Sequence, residues 1–173
     1  MKYRSTIMLL FALMSTLASA QDMKPDELRE LFYRASDDKA VAQQFYDKLS
    51  AADESSPPLL LGYQGMACFM VCYHSLNPYS KIKYFIRGKN ALDKAIQLEP
   101  KNVELRYLRF SVQTNAPEFL GYMRSIKDDK AFLLDALTNG KDKITDDDLR
   151  KRILDFLLQS KYVTQRERSL LEP

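Results

Sequence analysis

The chain has 173 residues, a formal charge of +3, 28% charged and 46% apolar residues, five glycines, two cysteines and no tryptophan. That length makes one domain able to bury a full core, and so small a charge excludes the broad cationic footprint that nonspecific nucleic-acid binding needs. Few glycines, no Asn-Gly hairpin between alternating apolar runs, and abundant Leu, Ala, Lys, Glu, Gln and Arg predict an all-α protein.

Residues 1–20 have the pattern of a cleavable signal peptide. Lys2 and Arg4 form the positive end, residues 7–18 the apolar stretch, and Ala18-Ser19-Ala20 the small-residue cleavage site. The apolar run is too short to span a bilayer, where roughly 20 residues are needed. No cysteine follows it to carry a lipid anchor. The expectation is an exported protein, periplasmic or secreted, with one helical domain over 21–173 and no membrane span after cleavage. Cleavage removes two positive charges, which weakens the case for an anionic membrane or nucleic acid as partner. It also places Cys68 and Cys72 in an oxidising compartment.

Pro25-Asp26-Glu27 opens a first helix, and Leu28, Leu31, Phe32 and Ala35 share one face of it. Asp37 or Asp38 caps a second helix carrying Val41, Phe45 and Leu49. The third, over 57–76, is apolar on every side and reads as the central core helix. Gly62, Gly65 and Ala67 in it admit close neighbours. The fourth, over 80–98, puts Ile82, Tyr84, Phe85, Leu92, Ile96 and Leu98 on its apolar half, opposite Lys83, Arg87 and Lys94. The fifth, over 103–113, has two apolar faces, Val103, Tyr107 and Phe110 against Leu105, Leu108 and Val112. Arg106, Arg109 and Gln113 form a polar stripe between them. A helix buried on two sides belongs in the middle of a stack.

A sixth helix starts after Ser125 and is closed by Gly140. A seventh opens at the capping-box-like Thr145-Asp146-Asp147-Asp148, and Thr164 with Glu167 caps a short last one. About seven helices and no sheet are expected.

Gly88, Leu92, Ala95 and Pro100 are spaced as in the second helix of a tetratricopeptide repeat, which this segment resembles. Leu61-Gly62 is similar to the family's Leu-Gly pair in its first helix. Pro58 and Gly65 stand in the tryptophan and tyrosine slots, and Leu61 lies about twice the family's spacing from Gly88. The stretch 105–122 resembles segments of small exported bacterial proteins with tetratricopeptide-like cores. The resemblance implies a degenerate stack of antiparallel helical hairpins and an exported location. It brings no activity and no functional residue.

Candidate chemistry is sparse. Cys68 and Cys72 share a helix face, but His74 points roughly 160–240° away, so the three cannot converge on a metal. A disulfide between the two cysteines is geometrically poor, and two buried thiols are expected. His74 is the only histidine, and no nucleophile elbow, phosphate loop or zinc-binding helix motif occurs. The segment 139–148 lacks two ligands and the turn glycine of a calcium loop. The sequence therefore predicts a noncatalytic helical interaction module without cofactor or metal, binding a protein or peptide partner. The candidate contact residues are Lys83, Arg87, Lys94, Arg106, Arg109 and Gln113. Internal pairing of the arginines with carboxylates is the competing expectation for Arg106 and Arg109. The alternative function is a carrier for a small apolar ligand, with a cavity among the third to fifth helices.

Overall fold

A computed structural model describes residues 23–139 and 144–171. Among them are eight α-helices and no strand. The helices are α1 (Pro25–Asp37), α2 (Lys39–Leu49), α3 (Pro58–His74), α4 (Pro78–Leu98), α5 (Val103–Asn115), α6 (Ile126–Thr138), α7 (Asp147–Gln159) and α8 (Gln165–Ser169), with a 3-10 turn at Glu118–Leu120. The all-α expectation holds.

Local signals set most helix starts. Asp38 accepts from the backbone of Ala40 and Val41, Asn77 from Ser80, Asn102 from Leu105, and Asp146 from Leu149. Each satisfies a donor that the first turn leaves orphaned. Thr164 and Glu167 form the expected reciprocal box. Two details differ. Ser125 makes no side-chain cap, and the cap of α7 is Asp146 rather than Thr145. The expected closure of α6 at Gly140 lies outside the described residues.

The core is organised around α3, where every residue from Leu60 to Phe69 is buried. It contacts α1, α2, α4 and α5. Its partner α4 runs antiparallel to it: Gly62 lies against Ala95, Gly65 against Gly88, Phe69 against Phe85 and Cys72 against Lys81. The two backbones touch at the glycines. A methyl group on Gly65 would stand 2.8 Å from the carbonyl oxygen of Gly88, closer than real side chains approach. Helix α5 is buried on two sides, as its sequence predicts. Leu105 reaches α3 beside Gly62, while Tyr107 and Phe110 pack edge-on against Phe156 of α7.

Three positions depart from the expected burial. Ile82 and Leu98 belong to the apolar half of α4 by periodicity, yet both are exposed. The crossing at Gly65 and Gly88 turns Phe85, Leu92 and Ile96 inward instead, and those three are buried. Cys68 is buried, but Cys72 is only half-buried, because α3 emerges from the core in its last turn. Both thiols are free.

Candidate interaction site

Helix α2 and the first half of α4 flank the emerging end of α3. Between them lies an open groove of about 370 Å³ lined by Lys39, Gln43, Val71, His74, Ser80 and Tyr84, with Leu76 at its rim. The lining residue Tyr84 is backed by an aromatic and cationic pair. Tyr46 of α2 meets Tyr84 of α4 edge-on at 5.3 Å, and the Arg87 guanidinium donates to the Tyr46 hydroxyl at 2.6 Å while lying over its ring. His74 is fixed by its Nε2 at 2.8 Å from the Ala35 carbonyl oxygen. That bond joins the end of α3 to α1 and leaves a preformed floor. The groove presents the apolar surface of Val71, Leu76 and Tyr84 beside the cation Lys39.

The six sequence-derived contact residues fall into three places. Lys83 and Arg87 stand beside the groove without lining it: the Lys83 ammonium is 5.9 Å from the Tyr84 ring centre, and Arg87 is bound to Tyr46. Lys94 is farther along α4 and pairs with Glu54 at 2.7 Å. Arg106 and Arg109 converge on one fully buried carboxylate, Asp129 of α6. Arg106 Nη1 reaches its Oδ1 at 2.8 Å, and Arg109 grips it in a fork at 2.7 and 2.8 Å. Gln113 is buried, and its Oε1 has no hydrogen-bond partner among the described residues. The structure brings Arg106 and Arg109 together and separates both from Lys83 and Arg87.

A second buried cluster joins residues far apart in the sequence. Arg29 of α1 holds Glu104 of α5 through two bonds of 2.7 Å, and the Tyr63 hydroxyl of α3 donates to the same carboxylate at 2.6 Å. Arg29 also contacts Asp26 at 2.9 Å and Asp146, the cap of α7. Bonding to Glu104 raises the Arg29 pKa, while burial beside that carboxylate raises the Tyr63 pKa. Every polar atom of the triad has its partner, which makes the cluster a tie between α1, α3, α5 and α7. A single Glu between Val103 and Leu105 was the one visible hint, and dipole compensation at the helix start accounts for it equally well.

The space between α3, α4 and α5 is filled. An added Cβ on Gly62 would meet Leu105 at 2.2 Å. A second depression, of about 390 Å³, is open to solvent beside Phe156, Gln159 and Lys161. Among the described residues no group of three His, Cys, Asp or Glu could hold a metal, and no helix is long and apolar enough to cross a membrane. Compared with protein-family models, curated proteins and solved structures, the chain gives no match in any of the three.

Proposed function

We propose that this protein is an exported, noncatalytic helical interaction module, a degenerate stack of helical hairpins that binds a protein or peptide partner in the groove between α2 and α4. The carrying observation is that groove: about 370 Å³, with Lys39, His74 and Tyr84 in its lining, His74 fixed by its bond to Ala35 and Tyr84 backed by the Tyr46–Arg87 pair. Tyrosine and arginine supply large contact area and few rotamers to freeze, which is why they dominate binding hot spots. Lys39 in the lining favours a segment with a carboxylate beside an aliphatic side chain. The A-x-A site at Ala18-Ser19-Ala20 supports export, and the antiparallel α3–α4 pair with Gly88, Leu92 and Ala95 at its seam supports the repeat-like reading. The tight seam disfavours the alternative of an apolar-ligand cavity among α3, α4 and α5.

Fluorescence anisotropy against a library of short peptides with mixed acidic and aliphatic residues tests the proposal. Binders are expected, and Tyr84→Ala or Arg87→Ala should weaken them about tenfold or more, as hot-spot truncation does. Peptides that bind both variants as well as the unmodified protein would refute the groove.

A further inference from the structure

Cys68 and Cys72 are both free, and neither lines the groove. They stand on successive turns of α3, about 40° apart around its axis. Side chains four apart on a helix hold their Cβ atoms about 5–6 Å from each other. A disulfide needs about 3.5–4.5 Å, so the two thiols cannot join while α3 is intact. The same spacing suits one ion between the sulfurs, because two opposed metal–thiolate bonds of about 2.3 Å span about 4.6 Å.

Both residues face α4. The Cys72 thiol donates to the Lys81 carbonyl oxygen at 3.3 Å. The Cβ of Cys68 lies against Gly88, where an added methyl group would stand 3.2 Å from it. Glycine therefore keeps the strip of α4 beside Cys68 free of a side chain. Burial pushes both thiols up, and Arg87 beside Cys68 and Lys81 beside Cys72 act against it. Arg87 is bonded to the neutral Tyr46 hydroxyl, and neither cation has an ion-pair partner among the described residues. Two thiolates around a monovalent ion carry one net negative charge, and these two cations stand where they compensate it.

The donor count selects the ion. Zinc takes four ligands in a structural site, and iron–sulfur clusters take four cysteines. Among the described residues no further His, Cys, Asp or Glu joins this pair. Monovalent copper is soft, favours thiolate sulfur, and is stable with two opposed ligands.

We propose that Cys68 and Cys72 form a two-coordinate site for copper(I), covered by α4 and entered from the half-buried Cys72 side. Each thiol releases its proton as its sulfur bonds the ion. One copper(I) thus displaces two protons and gives a bis-thiolate, with no electron transferred. The site is separate from the groove and does not depend on a peptide partner.

The full chain, purified in the form the cell processes and kept reduced without oxygen, is titrated into copper(I) held by bicinchoninate. One equivalent should be withdrawn from that coloured complex, and copper-edge X-ray absorption should show two sulfur neighbours. Cys72→Ser, at the half-buried position, and Cys68→Ala should each withdraw none, with circular dichroism confirming their fold. In the unmodified protein one equivalent of copper(I) should block alkylation of Cys72 by iodoacetamide, while one equivalent of zinc should not. Three results would overturn the proposal. They are no withdrawal by the unmodified protein, withdrawal that survives Cys72→Ser, and equal protection by zinc. The second would assign the copper to His74 or the methionines.

Discussion

Glu104→Leu is the sharpest probe of how the helices are tied together. The substitution removes two charge-assisted bonds from Arg29 and one bond from Tyr63, all at 2.6–2.7 Å. Breaking a buried ion pair from one side typically costs about 3–5 kcal/mol, since the remaining charge stays buried. Arg29 keeps Asp26 and Asp146 on its Nη1, so the lower end applies, about 3 kcal/mol. For a domain of this size that lowers Tm by about 6–12 °C. The triple variant Arg29→Met/Tyr63→Phe/Glu104→Leu removes the whole set and leaves Asp146, 36% exposed, to be rewetted. It should unfold within about 1 kcal/mol of the unmodified protein, because a buried ion cluster and apolar packing of like volume are nearly equivalent. Urea unfolding followed by circular dichroism at constant m measures both. A Glu104→Leu cost below about 1 kcal/mol, or a triple variant as unstable as the single, would refute the argument.

Other substitutions separate backbone effects from packing effects and charge from burial. Gly65→Ala presses a methyl group 2.8 Å from the Gly88 carbonyl oxygen, so α3 and α4 must part; thermal unfolding should show a loss of about 2–3 kcal/mol. Gly121→Ala meets nothing within 4 Å but sits at φ +65°, and should cost only about 1 kcal/mol of backbone strain. Burial pushes the Cys68 thiol up to about 11, so iodoacetamide near neutral pH should alkylate the half-buried Cys72 first, as peptide mapping would show; preferential labelling of Cys68 would contradict the burial of α3. The Asp146 carboxyl lies below its usual value, held by the Leu149 N–H and by Arg29. Its contribution is therefore present above about pH 4, the unfolded value, and is lost as pH falls through the lower folded value. Asp146→Ser keeps the cap but removes the charge, so acid unfolding curves should be flatter across that window.

What could be read from the residues was local or periodic. The all-round apolarity of 57–76 places α3 at the centre, and the two apolar faces of α5 place it in the middle of a stack; its neighbours there, α3 and α7, came only with the structure. Caps such as Asp38, Asn102 and Thr164 act within three residues and were equally visible. Long-range pairing was not. Arg29 and Glu104 are 75 positions apart, and each alone looks like a solvated helix residue. Asp129 likewise resembles a first-turn acid that answers the helix dipole until Arg106 and Arg109 are seen around it. Ile82 fits the apolar half of α4 by angle, but periodicity cannot tell how far along a helix its neighbours extend. Here α3 ends at His74, and the line through Tyr79, Ile82 and Ile86 is left open. The groove between α2 and α4 depends on that same ending and had no linear signal; Lys83 and Arg87 were selected by their charge alone.

Site-specific photo-crosslinking in the native host tests the central reading most directly. A photoreactive residue at position 43, in the groove, is compared with one at position 151 on the exposed face of α7. The account predicts one discrete protein adduct from position 43, lost on Tyr84→Ala, and none from position 151. No adduct at position 43, or the same adducts from both positions, would contradict it.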